Sequence, residues 1–340
     1  MMRRWMVVVA LAVAAGCGRA EPIAQVGSTA TTEASPTLTL TDSLGRKVTI
    51  ARRPERIVSL APAMTETLFA IGAGPRVVAV TTADTHPPEA KALPTVGGFS
   101  PKTLSIEAVV GQRPDLVIGA GRFQQAAVES LEGLGITVLA LDADTIEEVA
   151  ANIRLVGRAT GTEAEAGRIA DDMLRRAGAV RRRTAAGPAG KRPRVVYFLW
   201  DEPLKAGGPG TFIGQMIVDA GGENLFADAS QQYPQVSDEA VLVRDPDLIL
   251  TSDHGNIGLP ARLARRPGWA ALKAVRAGRV VALDEELMAR PGPRLIDGLE
   301  SVAKAIHSAG AELRGTVPDG PDSIPSPDSS KAREAARQGR

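Results

Sequence analysis

The sequence predicts two α/β lobes, each a mainly parallel sheet covered by helices, joined by one long helix. Three observations carry this. A phrase occurs twice: Glu107-Ala108-Val109 followed by Pro114-Asp115-Leu116, and Glu239-Ala240-Val241 followed by Pro246-Asp247-Leu248, with every matched pair 132 residues apart. Each copy reads as a short helix closed at X-Pro-Asp and leading into an apolar strand, because Pro cannot donate a helical hydrogen bond and pushes its predecessor out of the α region. Helix–Pro–strand is a common local pattern, but six identities in register favour duplication. Strand and helix signals also alternate through both halves, as parallel sheets require. Midway between the copies, a helical pattern runs from Thr162 through Ile169, Met173, Leu174 and Val180 to about Thr184, before Gly187-Pro188.

Taken in order, the chain opens with Arg3 and Arg4, an apolar run from Trp5 to Ala15, and Ala14-Ala15-Gly16-Cys17. The run is too short to span a bilayer and reads as a signal peptide. Its end resembles the lipobox of bacterial lipoproteins, with Ala14 where Leu is usual; the resemblance implies lipidation of Cys17 and a tether to a membrane surface. A plain secretory signal with a stray thiol is the alternative. Cys17 is the single cysteine, so an intrachain disulfide is excluded. Residues 18 to 36 are rich in Thr, Ser, Ala and Gly and read as a flexible tether.

Leu38–Leu40 and Val48–Ile50 flank Asp42-Ser43-Leu44-Gly45, a hairpin signal. Strands are expected at 57–60, 77–80, 116–118 and 138–141, then at 195–199, 248–250 and 280–283. Thr145-x-x-Glu148 and Thr162-x-x-Glu165 are capping-box patterns at helix starts. The helix from Thr162 would be about 22 residues, roughly 33 Å long. It is either a surface helix of one domain or a strut between two. The expected boundaries are 1–16 signal peptide, 17–36 tether, 37–160 first lobe, 161–186 linking helix, 187–313 second lobe and 314–340 disordered tail. The tail is assigned from its Pro, Asp, Ser and Gly content.

The composition is ordinary and globular, 44% apolar and 23% charged, with net charge +1 over 340 residues. Near-neutrality removes the electrostatic argument for nucleic acid. Catalysis has no visible constellation: there is no Gly-x-Ser-x-Gly elbow, and Gly207-Gly208-Pro209-Gly210-Thr211 lacks the Lys-Ser/Thr of a phosphate loop. That stretch reads as a close backbone approach to a ligand, followed by a helix capped by Thr211. His86 and His254 each follow a strand, accompanied by Asp84 and Asp253, and could form a metal site. They are equally readable as exposed loop histidines. His307 reads as structural or solvent-facing. Aromatics are only 3% of the chain, and Phe99, Trp200 and Tyr233 are the candidate walls for a flat ligand. Ordinary packing is the alternative for each.

Arg56-Ile57-Val58-Ser59-Leu60-Ala61-Pro62-Ala63-Met64-Thr65-Glu66 resembles the opening strand-turn-helix of ABC-importer substrate-binding proteins for vitamin B12, ferric siderophores and haem. The resemblance continues at His86-Pro87-Pro88-Glu89-Ala90, Val96-Gly97-Gly98-Phe99, Ala220-Gly221-Gly222-Glu223-Asn224-Leu225-Phe226, Pro234-Gln235-Val236-Ser237 and Arg290-x-Gly292-Pro293-Arg294, covering roughly residues 38 to 310. It implies two lobes on one rigid helix, a ligand cleft between them, no catalysis and no cofactor. It further implies a monomer that delivers a corrinoid or ferric siderophore to a permease dimer with ATPase subunits. Candidate ligand contacts are then Pro62, Thr82, Asp84, His86, Phe99, Trp200, Thr211, Tyr233, Asp253, Glu286 and Arg290. The chain departs from the B12 pattern at Thr82-Ala83 and Leu287, where aromatics are usual, and at Glu286, where Asp is expected. Arg290 could instead meet an anionic siderophore or a propionate, and Arg294 could simply be a helix-start contact. Glu107 and Glu239 correspond to the acidic residues that meet permease arginines; without the resemblance they read as solvated. The rivals are haem or a bare metal ion at His86 and His254, an extracytoplasmic enzyme, and a ligand-sensing surface receptor.

Overall fold

The computed structural model describes residues 37–185, 192–252 and 258–313. The first lobe begins with the antiparallel hairpin β1 (Leu38–Thr41) and β2 (Lys47–Ile50). Asp42 makes its turn: Oδ1 accepts from the backbone N–H of Leu44 at 3.0 Å and of Arg46 at 2.9 Å, the local competition that makes Asp a turn former. Four parallel strands follow, β3 (Ile57–Ser59), β4 (Val77–Ala79), β5 (Leu116–Ala120) and β6 (Val138–Leu141), in the order β4-β3-β5-β6. Helices α1 (Pro62–Ala70), α2 (Ile106–Gly111), α3 (Gln125–Gly133) and α4 (Ile146–Thr160) connect and cover them. Residues of opposite strand faces enter different cores, Ile57, Leu116 and Ile118 on one side and Val58 and Val117 on the other. Burial of both faces explains the continuous apolar runs.

Helix α5 (Glu163–Ala185) is 23 residues long and links the lobes. Its buried stripe is Ala166, Ala170, Met173, Ala177 and Val180, spaced four and three apart, as one face of a helix demands. Small residues let it lie close on α4; a Cβ on Gly157 of α4 would collide with that of Ala166. Helix α4 has the complete Thr145/Glu148 capping box. At Thr162 the arrangement differs from the expectation: its hydroxyl lies 2.9 Å from that of Thr160, and Glu165 turns to Arg168. Charge then pins the strut. Arg176 pairs with Asp297 at 2.6 Å and Glu300 at 2.7 Å, and Arg181 with Glu147 and Asp219, each at 2.7 Å.

The second lobe contains β7 (Arg194–Asp201), β8 (Leu204–Ala206), α6 (Phe212–Asp219), β9 (Glu223–Asn224), α7 (Asp238–Arg244) and β10 (Leu248–Ser252). It continues with α8 (Leu259–Ala264), α9 (Lys273–Arg276), β11 (Val280–Leu283), α10 (Glu285–Ala289) and α11 (Leu295–Leu313). The order is β11-β10-β7-β8, with β9 parallel to the start of β7 and β8 antiparallel to its end. Strand β7 is longer than the sequence suggested because it turns back into β8, so Trp200 lies within it rather than after it. No helix of the described residues is long and apolar enough to cross a membrane. The signal segment, tether, Cys17 and tail lie outside those residues.

The duplicated phrase is one structural device built twice. Ser105 and Ser237 cap α2 and α7, accepting from the N–H of Ala108 at 3.1 Å and Ala240 at 3.2 Å. Both helices run out at a residue with positive φ, Arg113 at 50° and Asp245 at 42°. The Asp115 carboxylate accepts from the N–H groups of Glu55 at 2.8 Å and Arg56 at 2.9 Å; that of Asp247 accepts from Arg194 N–H at 2.9 Å. The guanidinium of Arg56 returns to the Gln112 carbonyl at 2.7 Å, and that of Arg194 to the Arg244 carbonyl. Each Pro-Asp thus anchors the start of a central strand to the end of the preceding helix.

Candidate ligand cleft

In the first lobe the chain goes from β3 to one neighbour, β4, and then returns to the other side at β5. The crevice between the C-terminal ends of β3 and β5 is therefore the switch point where open α/β sheets bind ligands. Pro62 stands there as the first residue of α1, a position its fixed φ suits. The loop after β5 supplies Phe123, 53% exposed and absent from the sequence-based candidates. Its ring stacks on Phe99, with centroids 4.9 Å apart and planes inclined by 19°. Thr82 is exposed beside this pair, its N–H donating to the Gly97 carbonyl at 2.8 Å.

From the second lobe come Trp200, 42% exposed near the end of β7, and Tyr233, 37% exposed. Burial first, and then Asp144, hold the Tyr233 phenol above its ordinary pKa, while Arg122 opposes them. Both charges belong to the first lobe, so the field at Tyr233 comes in part from the opposite lobe. The Gly-rich stretch serves this wall. A Cβ on Gly208 would sit 2.7 Å from the Gln231 carbonyl oxygen, so its close approach is to the segment carrying Tyr233. Thr211 does cap α6, but its hydroxyl is buried, accepting from Gly214 N–H at 2.9 Å and donating to the Gly208 carbonyl at 3.0 Å. That engagement removes it from direct ligand contact.

The arginines at the cleft already face carboxylates. Arg122 pairs with Asp142 at 3.2 Å and Asp144 at 2.9 Å. Arg290 reaches Glu66 at 3.1 Å, Glu286 at 3.3 Å and the Thr85 hydroxyl at 2.7 Å. Arg294 binds Glu66 through two nitrogens at 2.8 and 2.6 Å, and Glu286 at 3.0 Å. Glu66, on α1 with a side chain only 3% exposed, is the centre of this cluster. Its partners lie more than 220 residues away in sequence and on the other lobe. Glu286 and Arg290 are thus engaged with each other and with the first lobe.

Two further candidates occupy different places from those expected. Asp84 is buried, its Oδ2 accepting from the Thr81 N–H at 2.8 Å and from the Thr81 hydroxyl. Burial pushes its carboxyl pKa up against the hydrogen bonds from Thr65 and Thr81; through Oδ2 Asp84 holds the loop after β4, while its buried Oδ1 accepts no hydrogen bond among the described residues. His86 lines a cavity of about 620 Å³ that shares Glu66 and Arg294 of the ionic cluster, with Phe69, Pro75, Leu93 and Pro293 among its other walls. None of the four cleft aromatics lines it. Asp253 and His254 lie outside the described residues; within these, no three His, Cys, Asp or Glu side chains gather into a metal-holding group. Glu107 and Glu239 are exposed in the first turns of α2 and α7. On the same helices Val110 is 39% and Val243 86% exposed.

Two parallel-sheet lobes on one pinned helix, each with aromatic side chains exposed near its strand ends, define a two-lobed ligand-binding protein. Residues 57–287 match the family model described as periplasmic binding protein, and the chain belongs to that family. It is 34% identical over 301 residues, 86% of this chain and 92% of the other, to an uncharacterized ABC transporter substrate-binding lipoprotein of Bacillus subtilis. The periplasmic vitamin B12 binding protein of Vibrio cholerae has a similar structure, with TM-score 0.67 and 32% identity over 76% of this chain and 98% of that one. A periplasmic heme-binding protein of Roseiflexus is as similar, with TM-score 0.68 and 30% identity over 75% and 98%.

Proposed function

We propose that the protein is the substrate-binding component of an ABC importer, tethered through Cys17, and that its cargo is a corrinoid such as cobalamin. The observation that carries the choice of cargo is the pairing of the arginines in an aromatic cleft. Haem brings two propionates and ferric catecholates are strongly anionic, so either calls for cations with charge to spare; a neutral ferric hydroxamate is separated from a corrinoid by calorimetric titration. Arg122, Arg290 and Arg294 each already face carboxylates at 2.6–3.3 Å. A corrin ring is broad and rimmed largely by carboxamides, which suits aromatic walls and polar edges whose cations are already paired. Delivery requires docking on a two-fold permease. Glu107 and Glu239 stand at equivalent positions of the duplicated device and meet that symmetry.

Calorimetric titration with cobalamin, haem, a ferric hydroxamate and Zn²⁺ tests this reading. Cobalamin is expected to bind at micromolar Kd or tighter, and at least tenfold tighter than the others. Tightest binding of haem, through the Tyr233 phenol or otherwise, would overturn the corrinoid assignment. Binding of none would overturn the importer reading. Zn²⁺ binding that disappears in His86→Ala would return that residue to the ligand set.

A further inference from the structure

We propose that Gln124 is the positioning residue of the ligand cleft, fixing the plane of the Phe99–Phe123 pair. The proposal rests on the reading of the cleft as a ligand site. Gln124 is 0% exposed, a costly place for a primary amide unless its hydrogen bonds are made. They are made. Nε2 donates to the carbonyl of Leu60 at 2.8 Å and to that of Phe99 at 2.8 Å, while Oε1 accepts from the Ala120 N–H at 2.9 Å. These partners belong to three chain segments: the turn after β3, the end of β5, and the loop carrying Phe99. Both donors and the acceptor are thereby engaged in one arrangement.

The consequence for the rings is geometric. Phe123 precedes Gln124 in the chain, so its backbone moves with it. Phe99 is tied to the same side chain through its own carbonyl. One buried amide therefore sets both members of a stack whose other face is open, Phe123 being 53% exposed. The sequence makes room for it at Gly119, where a Cβ would come 2.8 Å from Oε1. Met fills similar volume but would release the Phe99 loop, the turn at Leu60 and the end of β5 from one another.

The test uses Gln124→Met, with Gln124→Glu as a second variant that keeps the acceptor but turns a carboxylate toward two carbonyl oxygens. Ligand-free crystal structures should show the Phe99 and Phe123 centroids parted beyond the roughly 7 Å limit of ring pairing. The Phe198–Trp269 pair, 5.6 Å apart in the other lobe, should be unchanged. Rings that stay stacked in either variant overturn the inference. In solution, Gln124→Met should weaken the tightest ligand of the titration panel by ten- to a hundredfold. In a Phe99→Ala/Phe123→Ala background it should change affinity less than twofold, since the groups it positions are gone. Equal losses in both backgrounds also overturn it. The crystallographic comparison needs no ligand, so a wild type that binds none of the panel contradicts the proposed function and still leaves Gln124 decided.

Discussion

Glu66→Ala should lower the free energy of unfolding by about 3–5 kcal/mol, the cost of stranding the partners of a buried ion pair. Glu66 is the least exposed member of the cluster, at 3%, with Arg290 at 15% and Arg294 at 24%. Its removal leaves two guanidiniums sharing Glu286, which is 34% exposed. Chemical denaturation measures the loss. Arg294→Ala in the same background should add far less than it does alone, because the groups form one network. Additive losses would mean that the contacts across the lobes carry no joint energy. The same cluster holds the lobes at one separation, together with the Arg181 and Arg176 clamps on α5. Ligand affinity should fall in Glu66→Ala as Arg290 loses its place, so the variant is impaired in binding as well as in stability.

Glu107→Lys combined with Glu239→Lys should abolish ligand delivery while leaving ligand affinity within about twofold of wild type. Each glutamate lies in the first turn of its helix with its head in solvent, away from the cleft aromatics. Reversal turns a complementary contact into like-charge repulsion, which costs several kcal/mol across an interface and slows encounter. Either single reversal should leave partial transport, since one lobe still docks. Uptake of labelled ligand in cells carrying the permease gives the first readout and calorimetry the second. Loss of ligand affinity in the double variant would take these residues out of a purely docking role. Val110→Ser and Val243→Ser should weaken docking less, as neutral contacts beside a charged one.

What was legible in the sequence follows the range of the interactions involved. The hairpin, the seven expected strands and the long helix rest on local signals: apolar runs, Asp42 in a turn, and periodic Met173 and Val180. All are present within a residue or two, except β7, which continues into a hairpin that its apolar run did not mark. The duplicated phrase was legible as a repeat, but its mechanism was not. Ser105 and Ser237 stood in the same register and could have extended it; the paired Arg56 and Arg194 returns need the fold. The cleft was only half legible. Phe123 follows a strand, the signal that singled out His86, and could have been found by the same rule. Nothing local reveals that Glu66 meets arginines more than 220 residues on, that Asp84 turns inward, or that His86 lines a cavity shared with Glu66 and Arg294. Thr211 carried two sequence readings, cap and ligand contact, and its one hydroxyl satisfies the cap.

A crystal structure of the protein with cobalamin tests the central claim, that an aromatic cleft between the lobes, its arginines already paired, carries a neutral macrocycle. The corrin is expected between the Phe99–Phe123 pair and the Trp200–Tyr233 wall, with the Glu66 bonds to Arg290 and Arg294 intact. A corrin seated in the His86 cavity, or an Arg290 that leaves Glu66 to meet the ligand, would contradict it.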